Sequence, residues 1–336
     1  MTDLKESLPQ TSNTSRKSRR SRWIVLGLVL LLALTLPLAR WIGSYNYVLQ
    51  LGIVVFMWIS LTSSWNILGG YTGYISLGHN VFFGVGAYVS GVLLVELGFS
   101  PFATAALAGL VALILGIIAG LITFRTKGPA FIVATIAMLL VVFILMDNWE
   151  FIGASNGLSL PLPEFPVEWV KVPFYYAMLV TAILAVLLGH RVAHSKMGLA
   201  LRAIAEDEVK AEVAGINTRL FKLMAFALSA FFPGVAGAIW GYSLTYLRPT
   251  AFFLISVAAQ MVLMAIIGGR GTVAGPVVGA VFMVSLNELS IRYFGASELN
   301  LTITGVVMVL ALLFFPMGLV GTLRERGRLP GWLDWD

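Results

Sequence analysis

The sequence predicts an all-α membrane protein, a polytopic bundle of about ten transmembrane helices. Hydrophobic residues make up 59% of the 336 residues and charged residues only 11%, whereas a soluble domain of this length carries about a quarter charged residues. The apolar residues also fall into runs of helix length, separated by short polar or glycine-rich segments. These runs are 23–39, 47–68, 81–98, 102–124, 129–146, 173–189, 221–246, 252–267, 276–292 and 300–320.

The N-terminal residues 1–22 are polar and basic, and we expect them to form a disordered cytoplasmic tail. They could form the start of a signal peptide, but the run 23–39 ends at Arg40 and Trp41 without a small-residue cleavage site, which favours an uncleaved first span. Attraction to anionic lipid explains the basic charge of the tail more simply than binding to nucleic acid. The lipid bilayer is therefore an expected partner, and nucleic acid is not.

The distribution of basic residues predicts the orientation of the chain. With the ten spans alternating from a cytoplasmic N-terminus, eighteen of the 22 Lys and Arg residues fall inside and four fall outside. Basic residues concentrate in the cytoplasmic loops of membrane proteins. The pattern therefore predicts cytoplasmic termini, a transmembrane domain over 23–321 and a cytoplasmic tail over 322–336.

The glycine-rich segment after the second span is the predicted lining of a pathway. The span contains Gln50 and Asn66, and polar groups in hydrocarbon must face protein or water. Irregular backbone at membrane depth is tolerated where it is buried in protein or lines a cavity, so tight packing through glycines remains the alternative. Segments 69–80 and 268–275 either re-enter the membrane or lie outside it. The candidate pathway residues are Tyr71, Thr72, Ser76, Gly78, His79 and Asn80.

Other features receive simpler interpretations. The GxxxG pairs Gly116/Gly120 and Gly237/Gly241 predict close helix packing. The acidic, proline-containing segment 147–171 is the longest predicted external segment and suits contact with an external binding protein, although an ordinary loop explains it equally. Glu288 lies well within a predicted span and could serve a proton or substrate route, or reach external water. With no cysteine and three histidines, we expect no disulfide and no metal site.

The longest polar interruption, 190–222, contains six basic and four acidic residues between two apolar runs. Its middle is predicted to be a short helix ending at Gly215, a residue suited to the left-handed conformation after a helix. An uneven apolar side consists of Leu201, Ile204, Val209 and Val213. Either this loop is a solvated amphipathic connector, or it docks a soluble partner.

Three motifs in order resemble the branched-chain amino acid permeases of bacterial ABC importers. They are the segment from Ser195 to Gly241, GGYTGYISLGHNVFFGVGAY (69–88) and GGRGTVAGPVVGA (268–280). The resemblance covers about 51–321 and implies a type II-like permease with a cytoplasmic coupling helix that contacts an ATPase subunit. Lys210 stands where the family more often has a small residue. The implied coupling residues are Glu206, Asp207, Glu208, Ala211, Glu212 and Gly215.

The resemblance also implies the partners and the substrate. These are a second related permease, two ATPase subunits that bind ATP and Mg, and an external binding protein, all at a bacterial inner membrane; this chain itself would hold no cofactor. The basic N-terminal extension favours the M-type member of the pair. Leucine, isoleucine and valine are the implied substrates, with urea, short amides or other amino acids as alternatives. The absence of Walker-A, HExxH and CxxC patterns disfavours an enzyme, and nearly charge-free spans disfavour an ion-coupled transporter.

Overall fold

A computed structural model describes residues 45–166, 168–295 and 317–327, with residues 27–28, 31–38 and scattered positions from 302 to 335. The predicted N-terminal tail 1–22 lies outside the described residues. The helices are α1 (Tyr45–Gly69), α2 (Asn80–Leu97), α3 (Pro101–Thr123), α4 (Pro129–Asn148), α5 (Lys171–Ala193), α6 (Lys196–Glu206), α7 (Glu208–Val213), α8 (Thr218–Leu244), α9 (Pro249–Phe252), α10 (Ile255–Gly269), α11 (Gly275–Phe294) and α12 (Gly318–Glu325). Two short strands, β1 (Leu158–Ser159) and β2 (Tyr246–Leu247), pair antiparallel.

Seven segments of the described chain are long and apolar enough to cross a membrane. They are α1, α2, α3, α4, α5, α8 and the segment Pro249–Gly269 that contains α9 and α10. Each lies within a few residues of a predicted span. The 20-residue α11 also matches a predicted span but carries Asn287, Glu288 and Arg292 and is not among the seven. Most of the predicted spans 23–39 and 300–320 lies outside the described residues, so the predicted count of about ten is not confirmed.

Helix α8 packs closely on α2 and α3, and glycines make that approach possible. A Cβ placed on Gly237 would lie 1.9 Å from the carbonyl oxygen of Phe83, and one on Gly116 would lie 3.0 Å from the Cβ of Ala230. Small residues of this kind let helix backbones come together where the lipid provides no hydrophobic drive. The predicted packing role of both GxxxG pairs is confirmed.

The glycines of 268–275 form the tight turn between α10 and α11. A Cβ on Gly268 would lie 1.8 Å from the carbonyl oxygen of Gly275, so neither position tolerates a side chain. The Asn66 side chain at the end of α1 holds this turn, because its Nδ2 donates to Thr272 O at 2.9 Å and its Oδ1 accepts from Gly271 N at 3.0 Å. The two glycine-rich segments therefore lie next to each other.

The segment between α4 and α5 contains β1 and two single-turn helices. A 3₁₀ turn at Ala154–Asn156 precedes Gly157, whose φ is +82°. Strand β1 then pairs with β2, which directly follows α8. The pairing places this segment against the end of α8 opposite the polar stretch.

Because the chain contains no cysteine, single introduced cysteines report the orientation without background. Lys196 and Ser155 are both exposed, at opposite ends of the bundle. We expect Ser155→Cys to react with a membrane-impermeant thiol reagent in intact cells and Lys196→Cys to react only after permeabilisation. Reaction of Lys196→Cys in intact cells would reverse the orientation predicted from the basic residues.

Candidate functional site

The polar stretch 190–222 folds into the end of α5, the separate helices α6 and α7, and the start of α8. A side chain caps the N-terminus of each of α6, α7 and α8. Ser195 accepts from Gly198 N at 3.3 Å, Asp207 from Val209 N at 3.0 Å, and Asn217 from Leu220 N at 3.1 Å. Such caps satisfy amide donors that have no partner within the helix. The prediction of one short helix was wrong, because Asp207 adopts an extended backbone conformation and starts a second helix.

Helix α7 ends at Gly215 as predicted. Gly215 has φ of +86°, the left-handed conformation that favours glycine. Its amide donates to Glu212 O at 2.9 Å, and the amide of Ile216 donates to Ala211 O at 3.0 Å. This pair of hydrogen bonds is a Schellman motif, which satisfies the last carbonyls of a helix.

The predicted apolar side of the stretch divides between the interior and the surface. Leu201 and Ile204 of α6 are buried against the bundle. Val209 and Val213 of α7 are 63% and 85% exposed. The sequence could not separate the two pairs, because the break at Asp207 changes the direction of the chain between them.

The six predicted coupling residues also divide. Glu206, Glu212 and Gly215 are exposed, whereas Ala211 is buried. Glu212 accepts a hydrogen bond from the Thr218 hydroxyl at 2.7 Å, which ties α7 to α8. The backbone amide of Lys210, together with the Lys210 side chain and the amide of Val209, lowers the pKa of the Asp207 carboxyl.

Glu208 points into the protein and forms the centre of an ion-pair cluster. Its Oε1 lies 2.6 Å from Lys222 Nζ and 3.4 Å from Lys127 Nζ, and its Oε2 accepts a hydrogen bond from the Tyr74 hydroxyl. The side chains of Glu208 and Lys222 are only 14% and 3% exposed. We call Tyr74, Lys127, Glu208 and Lys222 the Glu208 cluster. It joins α7 and α8 to the loop before α4 and to the glycine-rich segment.

The electrostatics of the Glu208 cluster favour the ionised carboxylate. Burial by itself would raise the pKa of Glu208, but hydrogen bonds from Lys222 and Tyr74 and the charges of Lys222 and Lys127 outweigh it and hold the pKa below its ordinary value. Burial and the bond to Glu208 raise the pKa of Tyr74, which remains a donor. Lys222 Nζ also lies 4.6 Å from the Tyr74 ring centre and 5.4 Å from that of Phe124, distances that allow cation–π attraction.

Sequence reasoning placed Glu208 in the coupling set but did not find its partners. The signal was Lys222, which stands four residues inside α8 among apolar neighbours and requires a buried counter-charge. Tyr74 and Lys127 are far from Glu208 in sequence, so only the fold reveals them.

The glycine-rich segment 70–79 is irregular backbone that runs from the exposed Gly73 to the buried His79 inside the bundle. Neighbouring helices satisfy its backbone: Trp65 Nε1 donates to Ser76 O at 2.8 Å, and the Leu77 amide donates to Thr135 Oγ1 at 3.1 Å. Trp65 and Thr135 are fully buried. Non-helical backbone at membrane depth requires partners of this kind.

The segment reaches the middle of the bundle before α2 begins. His79 Nε2 lies 2.8 Å from the Ser229 hydroxyl, and Ser229 is eleven residues beyond the start of α8, about 16 Å along the helix. Asn80 Nδ2 then donates to Phe252 O at 3.0 Å and to Leu254 O at 2.9 Å. These carbonyls lie at the break between α9 and α10, so Asn80 supplies hydrogen bonds that the broken helix lacks.

All six predicted pathway residues are buried by the chain itself, namely Tyr71, Thr72, Ser76, Gly78, His79 and Asn80. Tyr71 donates to Gly189 O at 3.3 Å and Thr72 to Leu68 O at 2.8 Å. A Cβ on Gly78 would lie 2.4 Å from Thr135 O. In this conformation the arrangement favours the packing alternative, and a role in lining the pathway stays a prediction.

The fold defines a multi-pass α-helical membrane protein in which the polar stretch 190–222 lies at one end of the bundle. The model of the family described as branched-chain amino acid transport system / permease component matches residues 47–312. The chain therefore belongs to this permease family, which confirms the resemblance stated from the three motifs.

Relatives agree with the family. The chain is 25% identical over 307 residues to the high-affinity branched-chain amino acid transport system permease protein LivM of Escherichia coli, covering 83% of this chain and 71% of that protein. It is 26% identical to the Salmonella typhimurium LivM, covering 90% and 75%. The chain is also 28% identical over 178 residues to the Salmonella typhimurium permease LivH, covering 53% of this chain and 54% of that protein. The LivM-like assignment is confirmed, and no solved structure matches the chain.

The packing of Gly78 generates a stability prediction. We expect Gly78→Ala to lower the free energy of unfolding by about 1–3 kcal/mol, because its methyl group would collide with backbone. The matched control is Gly189→Ala, since Gly189 is a helical glycine with no atom near its Cβ position. Thermal unfolding of the purified variants compares the two, and equal unfolding temperatures would remove the packing role.

The Glu208 cluster generates a second prediction. We expect Lys222→Met to destabilise the protein by about 3 kcal/mol at neutral pH, because it leaves the buried carboxylate without its nearest cation. Lys210→Met is the control, since the Lys210 side chain is 86% exposed and pairs with Asp207 at the surface. Thermal unfolding measures both variants.

The pH dependence of the Lys222→Met effect provides a check on its origin. The pKa of Glu208 is lowered in the folded protein, so the stabilisation is complete above the ordinary value of 4.5 and is lost as the pH falls through the lowered pKa. The difference between wild type and Lys222→Met should therefore shrink below roughly pH 4. A difference that is constant down to pH 3 would show that lost packing, not lost charge, is responsible.

Proposed function

We propose that the chain is the permease subunit of an ATP-driven importer for the branched-chain amino acids leucine, isoleucine and valine. The observation that carries the proposal is the family match over 47–312, a range that contains the whole polar stretch 190–222. The spans around that surface are nearly free of charged residues, so the work of transport enters from outside the membrane domain.

The exposed side of α7 is the proposed contact with an ATPase subunit. It presents Val213 and Val209 beside the acidic Glu206 and Glu212. Exposed aliphatic side chains rimmed by charges are typical of protein–protein contacts. On the opposite side, Ala211 and Glu208 fix the helix to the bundle. Because these contacts fix α7 to the bundle, a displacement of its exposed side is transmitted to the membrane domain.

The proposal includes the partners of the complex. A second, LivH-like permease completes the membrane part, two ATPase subunits bind ATP and Mg, and an external binding protein delivers the substrate. This chain then needs no cofactor of its own. The bias of basic residues supports cytoplasmic termini, and the permease family supports a bacterial inner membrane. The segment 149–170 with its β1–β2 pairing offers the external binding protein a folded surface.

The coupling role predicts the effect of Val213→Asp. The reconstituted transporter should insert and assemble normally, but the loaded binding protein should stimulate its ATP hydrolysis at least about tenfold less, because the change places a charge in an apolar contact. Leu199→Asp is the matched control, since Leu199 is a 67% exposed aliphatic residue on α6. ATP hydrolysis with and without the loaded binding protein measures the effect.

The outcomes separate the two interpretations of the polar stretch. Loss of stimulation in Val213→Asp alone supports a docking surface on α7. Full stimulation in both variants would make α6 and α7 a solvated connector. Absence of branched-chain amino acid uptake by the wild-type transporter would contradict the proposed substrate.

A further inference from the structure

A cavity of about 180 Å³ lies between α1, α10 and α11. It is near the start of α1 and the end of α11, the side of the bundle predicted to face outside. Its lining combines amides and a carboxylate with apolar side chains. Gln50, Gln260 and Glu288 line it together with Leu51, Val54 and Met264.

Glu288 is the acidic residue in the lining of this cavity. It stands six residues before the end of α11, about 9 Å along the helix. The neighbouring helices α1 and α10 contain no charged residue, and the basic residue of its own helix is Arg292, one turn further towards the helix end. The hydroxyl of Tyr47, another lining residue of the cavity on α1, donates a hydrogen bond to the Glu288 carboxylate. An ionisable side chain within a membrane domain is costly and marks a functional site unless it is neutralised by its surroundings.

We infer that this cavity is a binding site for a small neutral amino acid with a branched aliphatic side chain, in which Glu288 receives the ammonium group. The Gln50 and Gln260 amides are suited to donate to the substrate carboxylate, and Leu51, Val54 and Met264 provide the apolar wall for the side chain. The inference deepens the proposed function and rests on it. It names where this chain recognises the substrate.

The size of the cavity agrees with this ligand class. A cavity of about 150 Å³ lined by apolar side chains accommodates benzene. The cavity of about 180 Å³ here is therefore of the size that the four-carbon side chain of leucine with its ammonium group at Glu288 needs. A small polar molecule such as urea would leave the aliphatic wall unused.

An ammonium group attached to apolar carbon could also reach the cavity as part of a lipid. Phosphatidylethanolamine also presents an ammonium group beside apolar chains, and it would reach the cavity from the membrane. The two sources share the contact with Glu288 but differ in solubility, so an experiment can distinguish them by varying the lipid and the soluble ligand independently.

The test uses the assembled transporter in vesicles and a cysteine introduced into a chain that has none. Leu51→Cys places a thiol in the cavity wall, and Ser155→Cys places one on the exposed external segment. Leucine added outside should slow modification of Leu51→Cys by a thiol reagent and leave Ser155→Cys unchanged. Isoamylamine, which keeps the ammonium group, should protect more than 4-methylpentanoate, which lacks it.

Glu288→Gln in the Leu51→Cys background tests the carboxylate. It should raise the leucine concentration for half-protection by about 10- to 100-fold, the effect of losing a hydrogen bond to a charged group. Glu288→Asp keeps the charge and should restore part of the protection. The unchanged reaction rate of the unliganded cysteine in both variants would show that the cavity is still formed.

The outcomes distinguish this inference from the proposed function. Leucine uptake by the wild-type transporter without leucine protection of Leu51→Cys would overturn the cavity site and leave the function standing. Absence of uptake would overturn the function itself. Protection that follows the phosphatidylethanolamine content of the vesicles, with no effect of leucine, would assign the cavity to lipid and likewise overturn the amino acid site.

Discussion

Backbone inside a membrane domain must find its hydrogen bonds within the protein, and the rest of this structure depends on how segment 70–79 meets that constraint. Trp65 donates to the carbonyl of Ser76, and Thr135 accepts from the amide of Leu77. The glycine at 78 lets the chain pass close enough to α4 for this bond. The irregular segment is therefore part of the core, and α2 can begin in the middle of the bundle instead of at its edge.

The Glu208 cluster connects this core to the surface. Tyr74 belongs to the irregular segment, and its hydroxyl meets the carboxylate of Glu208 at the start of α7. Lys222 is almost fully buried beneath them, and that carboxylate is its nearest counter-charge. A displacement of α7 would have to move Tyr74 or break a buried ion pair, and breaking such a pair costs more free energy than moving an exposed loop.

The sequence predicted most of what is local and little of what depends on contacts between distant residues. Span boundaries follow from the length of apolar runs, and the end of α7 follows from Gly215, because its conformation is a local property. The inward direction of the Glu208 side chain could not be predicted from the sequence, because its partners Lys222 and Tyr74 lie 14 and 134 residues away. The resemblance implied Glu208 as a coupling residue together with Glu206 and Glu212, and only the fold shows that Glu208 pairs with the buried Lys222.

Helices α1 and α10 give the two ends of the bundle a mechanical connection. Near its start, α1 contributes Gln50 to the cavity, and near its end Asn66 binds the turn that follows α10. Helix α10 contributes Gln260 and Met264 to the same cavity. Because the two helices share both the cavity and the Asn66 contact, a shift of one against the other changes the cavity and the turn together. The glycines of that turn leave no space for independent adjustment, so the packing that closes the bundle at one end also sets the width of the cavity at the other.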